Sequence, residues 1–517
     1  MARRHNDRVQ EKKTRPAQGY NLDGDYISPV RSFQDLSLKN CKSVIFHSRY
    51  AQVLIFLTIV GFVLRIYNLG FNSLWLDEAT TYYWSKLGFV ELWEISRSAD
   101  FHPPLFHWIE HIMLVFGHSE FILRAAPALL GTLTIPVFYL IGKEIYDKNV
   151  GIISAALLTF SYFGIYYSQE AYSYSTVLFI FSFVILFYLT ALRTDNITFW
   201  VLFGIISAIA FWTHYYVFVG LGVIYLHAII TIGGSLKKDI RHAKNLLVAF
   251  CTTLILSLPL LFIVGERFFR LTGSPPTYGV LGPILIQETL VRFSGGYSSF
   301  SWIIAFIYLV LMIGGLVYLY SKDRNKCLLC AMFLILPIVI SVLISSKMTM
   351  NPRYLIYLLP VYFTLVAMSY PIILKLVPNR NLLYLIVILI GVINAPLLAE
   401  YYSGYTKEDW RGFAGIVQSK TQDGDVIVLV PSYMSAPFNY YYSNVSDKTF
   451  EYGADNSTDL KNIYQLKGNS SIFYIVTGDI SAMNPEGDAL LWLSEKARLE
   501  TERTGIYLLT SNDAERQ

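Results

Sequence analysis

Polar residues in this chain come in blocks, and apolar residues come in long runs. The first 45 or so residues are polar and basic. Eleven apolar runs then follow, near 51–68, 121–142, 149–167, 171–192, 197–213, 215–233, 246–265, 300–320, 328–346, 354–376 and 382–399. A helix needs about 20 mostly apolar residues to cross a bilayer, so these runs predict eleven membrane spans. Little more than His214 separates the fifth from the sixth. The run 103–117 is too short and too rich in His to span, and reads as a helix at the interface. Beyond residue 400 the pattern changes. Asp425–Pro431 (DVIVLVP) and Ser471–Thr477 (SIFYIVT) read as short buried strands, with helical stretches near 409–420 and 486–500. Strands alternating with helices predict a small α/β layer. The chain divides into a tail (1–49), a polytopic α-helical membrane domain (50–400) and a soluble domain (401–517).

Composition rules out a soluble enzyme on a single anchor. Hydrophobic residues make up 54% and charged residues 15%, against about 25% charged in soluble proteins, and the mean hydropathy is +0.44. The placement of basic residues says more than the net charge of +4. Arg3, Arg4, Arg8, Lys12, Lys13 and Arg15 crowd the tail. Lys143, Lys148, Arg193, Lys237, Lys238, Arg241, Lys244, Lys322, Arg324, Lys326, Lys375 and Arg380 fall in alternate loops. Basic loops stay in the cytoplasm. The tail is therefore expected inside, and the segments 69–120, Gln169–Glu170, His214, 266–299, Lys347–Arg353 and 401–517 outside. The tail lacks the apolar core of a signal peptide and reads as disordered. Cys41, Cys251, Cys327 and Cys330 all avoid the outer segments, so no disulfide is expected. Asn444, Asn456 and Asn469 head glycosylation sequons. Nucleic acid is not an expected partner.

Three acidic motifs gather on the expected outer face: Leu74-Trp75-Leu76-Asp77-Glu78, Asp100-Phe101-His102-Pro103-Pro104 and Tyr167-Ser168-Gln169-Glu170. Acidic groups at a membrane edge are costly and mark sites. Asp77 reads either as a general base or as the N-terminal carboxylate of an interfacial helix over 79–95. Glu78 is its rival. On a helix the two diverge by about 100°, so only one can face a given ligand. Asp100 and His102 form a polar corner that would orient hydroxyls, cap the 103–117 helix, or bind a divalent ion with Glu170 as third ligand. Two ligands do not define a metal site, and no cofactor is assigned. His107 and His111, one turn apart, read as an interfacial helix face. Tyr166, Tyr167, Tyr172 and Tyr174 around Gln169 and Glu170 suit an interface belt or a platform for a sugar ring. Arg353, followed by Tyr354, offers a fork that matches phosphate or anchors a lipid headgroup. Arg65 and Arg124 suit structural, snorkelling roles.

In order, the chain shows Arg65, Leu74-Trp75-Leu76-Asp77-Glu78-Ala79, Asp100-x-His102-Pro103-Pro104-Leu105, Ser119-Glu120-Phe121-x-x-Arg124, Tyr167-Ser168-Gln169-Glu170-Ala171, Thr213-His214-Tyr215 and Asn351-Pro352-Arg353-Tyr354-Leu355. This series resembles the GT-C membrane glycosyltransferases of the glycosyltransferase family 39 type. That group includes relatives of dolichyl-phosphate-mannose protein mannosyltransferases and lipid A aminoarabinose transferases. The resemblance covers roughly 50–400 and is most specific before residue 175. Glu408-Asp409-Trp410-Arg411 and Gly424-Asp425 are similar to C-terminal domains of the same group. The resemblance implies a GT-C fold. It also implies inverting transfer of a sugar from a polyprenyl (dolichyl or undecaprenyl) phosphate to a hydroxyl of a protein, glycan or lipid. It makes Asp77 the base, with Glu78 the alternative, and Asp100, His102, Gln169, Glu170, His214, Arg353 and Tyr354 substrate contacts. Tyr172 departs from the group, which often has Arg there. A transporter or flippase is the competing class. It would place charges at the bilayer midplane of repeated halves, whereas these charges cluster at one rim. A glycan-binding scaffold would leave the acidic motifs unexplained.

Overall fold

The computed structural model describes residues 46–98, 102–234, 240–271, 279–442, 449–466 and 470–512, with only the helical backbone from 266 to 271. Asp100, Cys41, Asn444, Asn469 and nearly all of the expected tail lie outside the described residues. Among the described residues eight helices are long and apolar enough to cross a membrane: Arg49–Ile66, Glu120–Ile145, Tyr174–Thr194, Ile240–Gly265, Ser301–Lys322, Arg324–Ile344, Pro352–Leu376 and Leu382–Tyr402. The expected third span is a pair, Lys148–Thr159 and Tyr162–Ser168, bent by 59°. The bend falls at Ser161, whose hydroxyl caps the second helix by accepting from the Gly164 N–H at 3.0 Å. Ser leaves little mark in an apolar run, so hydropathy does not register the break. The expected fifth and sixth spans, Ile197–Thr213 and Val217–Gly233, have 17 residues each. At 1.5 Å per residue each reaches about 25 Å, short of the roughly 30 Å core. The eleven expected spans thus become eight full spans, one bent pair and two short helices.

Between the first two spans the chain forms three short helices, Leu76–Ser85, Phe89–Ser98 and Leu105–Met113. A break near Gly88 replaces the single helix expected over 79–95. The helix Leu105–Met113 has the short, interfacial length expected of it. It packs on Leu76–Ser85 through a Trp84–His107 ring contact at 5.5 Å and a His111 Nδ1 to Ser85 carbonyl contact at 2.8 Å.

The C-terminal residues form one five-stranded sheet in the order β2-β1-β3-β5-β4. β1 (Val426–Val430) pairs in parallel with β2 (Phe450–Gly453) and β3 (Ile472–Thr477). β5 (Ile506–Ser511) runs antiparallel to β3, and β4 (Ala497–Arg503) antiparallel to β5. The two central strands, β1 and β3, are those the sequence predicts, and every residue in them is buried. The helix expected over 486–500 ends at Lys496. Residues 497–503 leave it to pair as an edge strand, because tertiary pairing overrides the helical preference of a charged segment.

The sheet domain rests on the loop that leads to Asp77. Asp409 caps the helix Trp410–Lys420, accepting from the Gly412 N–H at 3.0 Å and the Ser73 hydroxyl at 3.2 Å. Arg411 donates to the Gly70 carbonyl at 3.0 Å and to the Glu120 carboxylate. The Tyr441 hydroxyl accepts from the Leu74 N–H and donates to Glu120, both at 2.8 Å. Buried polar groups in such a seam need partners, and here both sides supply them.

Candidate active site

The helix Leu76–Ser85 begins at Trp75, in extended backbone. Glu78, in its first turn, reaches back so that its carboxylate accepts from the Trp75 N–H at 3.4 Å. The carboxylate that caps this helix is therefore Glu78, and Asp77 has no capping task.

Glu78 is fully buried and saturated. Arg124 donates to both of its oxygens at 2.7 Å, the Ala171 N–H donates at 2.8 Å, and Lys407 Nζ lies at 3.2 Å. The same Arg124 donates to the carbonyls of Leu69, Asn72 and Ser73 at 2.9, 2.8 and 3.0 Å, fixing the loop before Trp75. Burial alone would push the Glu78 carboxyl up. Arg124, Lys407 and the Ala171 N–H outweigh it and hold the carboxyl down at about 2. Glu78, which the sequence offers as an alternative base, has no oxygen left for a substrate proton.

Asp77 points the other way. Its side chain keeps 23% exposure, and Oδ2 lies 3.3 Å from Arg353 Nη1. That contact is an ion pair without hydrogen-bond alignment, and Oδ2 accepts no hydrogen bond among the described residues. Arg353 enters from the 3-10 turn Pro352–Leu358, whose start is fixed by Asn351 Oδ1 accepting from the Arg353 N–H at 3.1 Å. The guanidinium sits over the rings of Trp75, Tyr174 and Tyr354, 5.3, 5.4 and 5.7 Å from their centroids. Its Nε makes no hydrogen bond among the described residues. Cation–π contacts hold such a group without consuming its N–H donors.

Beside this pair opens a cavity of about 440 Å³ lined by Trp75, Glu170, Arg353, Thr406 and the tyrosines at 162, 166, 167 and 297. Glu170 is buried, with Oε1 at 3.1 Å from Lys407 Nζ and Oε2 without a hydrogen-bond partner among the described residues. Burial, which Lys407 only partly offsets, pushes its carboxyl above the ordinary value. His102 lies 3.1 Å from the Tyr172 hydroxyl, with its ring centroid 5.1 Å from that of His214. His214 in turn faces Tyr354 at 5.6 Å. His102, His214, Tyr354 and Arg353 thus form a row of successive contacts, of which Arg353 lines the cavity. Of the tyrosines singled out near Gln169 and Glu170, Tyr166 and Tyr167 line the cavity, while Tyr172 packs against His102 and Tyr174 lies by Arg353.

Gln169 does not join that row. Its amide donates to the carbonyls of Arg65 and Tyr67 at 3.0 and 2.7 Å, and its oxygen accepts from the Tyr401 hydroxyl at 2.6 Å. These bonds tie the first span to the last, so the substrate contact expected of Gln169 gives way to a structural one. Arg65 is structural too, bound to Ser168 and to the carbonyls of Gly61 and Leu158. Of the expected metal set, His102 meets Tyr172 and Glu170 meets Lys407, while Asp100 lies outside the described residues. Among the described residues no three His, Cys, Asp or Glu side chains are grouped to hold a metal ion.

Two buried groups escape sequence reasoning. Lys407 follows the last span and lies between Glu78 and Glu170. Its signal is a cation soon after the last span, just before the Glu408-Asp409 motif. Glu110 is buried in the helix Leu105–Met113, and neither carboxyl oxygen has a hydrogen-bond partner among the described residues. Burial, then the charge of Glu78, pushes its carboxyl well above the ordinary value. Nothing in its local pattern separates it from an exposed interfacial acid.

Residues 101–261 match the sequence model of the Dolichyl-phosphate-mannose-protein mannosyltransferase family. A 294-residue stretch is 23% identical to the Arabidopsis thaliana dolichyl-diphosphooligosaccharide–protein glycosyltransferase subunit STT3B, covering 50% of this chain but only 38% of that protein. The fold is similar to ArnT from Cupriavidus metallidurans bound to undecaprenyl phosphate, with a TM-score of 0.55 at 13% identity over 89% of this chain and 98% of that one. It is also similar to the archaeal oligosaccharyltransferase AglB from Archaeoglobus fulgidus, in complex with an inhibitory peptide and a dolichol-phosphate. There the TM-score is 0.51 at 14% identity, over 90% of this chain and 75% of that one.

Proposed function

We propose that this chain, a multi-pass GT-C protein of the glycosyltransferase family 39-like type, transfers a sugar from a polyprenyl phosphate to an acceptor hydroxyl at the outer face of the membrane. The carrying observation is the split between Asp77 and Glu78. Glu78 is spent on Arg124, Lys407 and a backbone N–H, whereas Asp77 keeps an oxygen without a hydrogen bond among the described residues, beside Arg353, which lines the cavity. The likeness to a protein solved with undecaprenyl phosphate supports the donor class.

The step is a single displacement. The acceptor oxygen attacks the anomeric carbon, the bond from that carbon to the phosphate oxygen breaks, and its electron pair leaves with the lipid phosphate. The acceptor proton passes to Asp77. Arg353 neutralises the charge growing on the leaving phosphate. Arg353 is paired with Asp77; when its fork turns to the phosphate, Asp77 is left for the acceptor. His102, His214, Tyr354 and Glu170 contact the sugar, with aromatic faces and acceptor oxygens suited to a hydroxylated ring. The acceptor is a hydroxyl of a protein, glycan or lipid, and the sugar a hexose or pentose. A transporter draws no support from the matches, and Asp77 and Glu170 lie between spans and Arg353 at the start of one, rather than at mid-span.

The test uses the purified full-length protein, a polyprenyl-phosphate sugar extracted from the same membranes, and mass-spectrometric detection of released polyprenyl phosphate. Acceptor-dependent release that disappears in Asp77→Asn supports the reading. Equal release by wild type and Asp77→Asn overturns it.

A further inference from the structure

Lys407 belongs to the short connection between the last span, Leu382–Tyr402, and the sheet domain, yet it is buried among residues of the membrane domain. Its side chain is 7% exposed. Nζ lies 3.2 Å from Glu78 Oε2 and 3.1 Å from Glu170 Oε1. It also lies 5.5 Å from the ring centroids of both Trp75 and Tyr166. Trp75, Tyr166, Glu170 and the neighbouring Thr406 all line the cavity that Arg353 lines. The indole of Trp75 therefore has a cation on it from each end of the site: Arg353 at 5.3 Å and Lys407 at 5.5 Å.

Lys407 is one of several partners of Glu78. Arg124 already meets it with two bonds of 2.7 Å, and the Ala171 N–H adds a third. An ammonium has three N–H donors, and the two carboxylates take two. Among the described residues the lysine therefore keeps one N–H donor beyond its two carboxylates, next to Trp75, Tyr166 and Glu170 of the cavity lining. The carboxylates Asp77, Glu78 and Glu170 balance the cations Arg124, Arg353 and Lys407 in number, and a phosphate entering the cavity would draw on the two cations next to it.

We propose that Lys407 is a second cation for the donor phosphate, acting with Arg353 across Trp75, and that the sheet domain thereby completes the donor site. This rests on the polyprenyl-phosphate reading above. The lysine is delivered by a clamp on both sides. Asn72 Oδ1 accepts from the Thr406 N–H at 3.0 Å, Ser73 bonds to Asp409 at 3.2 Å and accepts from the Arg411 N–H at 3.1 Å, and Arg411 reaches Gly70 and Glu120. Seating the domain and positioning Nζ are one event, so loosening the clamp weakens donor binding without touching a donor contact.

The experiment measures binding of undecaprenyl phosphate, and of uncharged undecaprenol, to the full-length protein in lipid nanodiscs by native mass spectrometry. Wild type is expected to prefer the phosphate. Lys407→Gln should lose about tenfold or more of that preference, the loss expected for a charge-assisted hydrogen bond, and Lys407→Arg should keep part of it. A merely structural lysine is separated by the double variant Lys407→Gln with Glu170→Gln, which removes one charge of each sign. If the lysine only balances Glu170, the double variant recovers both thermal stability and phosphate binding, and the inference falls. If the lysine binds phosphate, stability recovers and binding does not. Unchanged phosphate preference in Lys407→Gln also overturns the inference while leaving the proposed function standing. A wild type that prefers neither lipid overturns the polyprenyl-phosphate reading itself.

Discussion

The Asp77 carboxylate lies 3.3 Å from the Arg353 guanidinium, where the segment between the first two spans meets the Pro352–Leu376 span. The adjacent Glu78 is buried on the opposite side against Arg124. This pairing assigns the two acids different work, and their variants should separate accordingly.

Asp77→Asn should lower turnover by about 10²–10⁴-fold, the usual cost of a missing general base. Thermal stability should stay close to wild type, because the helix Leu76–Ser85 is capped by Glu78 and not by Asp77. Turnover and melting temperature measured on the same preparation check this. Loss of both together would return Asp77 to a structural role.

Glu78→Gln should act on stability. It leaves Arg124 buried without its charge partner, a change that costs about 3–5 kcal/mol in comparable sites. The pH dependence has a definite sign. The Glu78 carboxyl lies below its ordinary value of 4.5, at about 2. Its pairing therefore stabilises the fold fully above the ordinary value and loses that contribution as pH falls from about 4.5 towards 2. Thermal melts from pH 7 to pH 3 should show the gap between wild type and Glu78→Gln constant at the upper end and closing at the lower. A gap that widens on acidification would refute the assignment.

Arg353→Ala should raise the donor concentration needed for half-saturation and lower turnover, with little change in acceptor saturation. Arg353→Lys should recover only part, since a point charge replaces a planar fork. Steady-state kinetics with donor and acceptor varied separately decide it. Unchanged donor saturation in Arg353→Ala would remove the phosphate role.

Sidedness is testable apart from chemistry. In a cysteine-free background, an impermeant maleimide applied to intact cells should label Glu486→Cys, an exposed position of the sheet domain, and spare Lys322→Cys, at the exposed end of the span Ser301–Lys322. The reverse pattern would invert the expected orientation.

The sequence by itself determined the membrane class, the position of the apolar helices and the two central strands, β1 and β3. Each rests on a local property: an apolar run matches the thickness of a bilayer, and a short β-branched run bounded by turns matches a buried strand. It also pointed to the segments that meet at the site, because charged residues at span ends are rare enough to stand out. It could state that Asp77 and Glu78 diverge, since successive helical residues turn by about 100°. Which of them faces inward was decided by Arg124, 46 residues further along the chain, and its placement follows from helix packing. Packing also spent Gln169 on the first and last spans, bent the third span at Ser161, and turned residues 497–503 into an edge strand. Only the tertiary structure brought Lys407 between Glu78 and Glu170. Run length and charge spacing are written in neighbouring residues, whereas a buried ion network depends on which distant helices share an interface, and no local pattern encodes that.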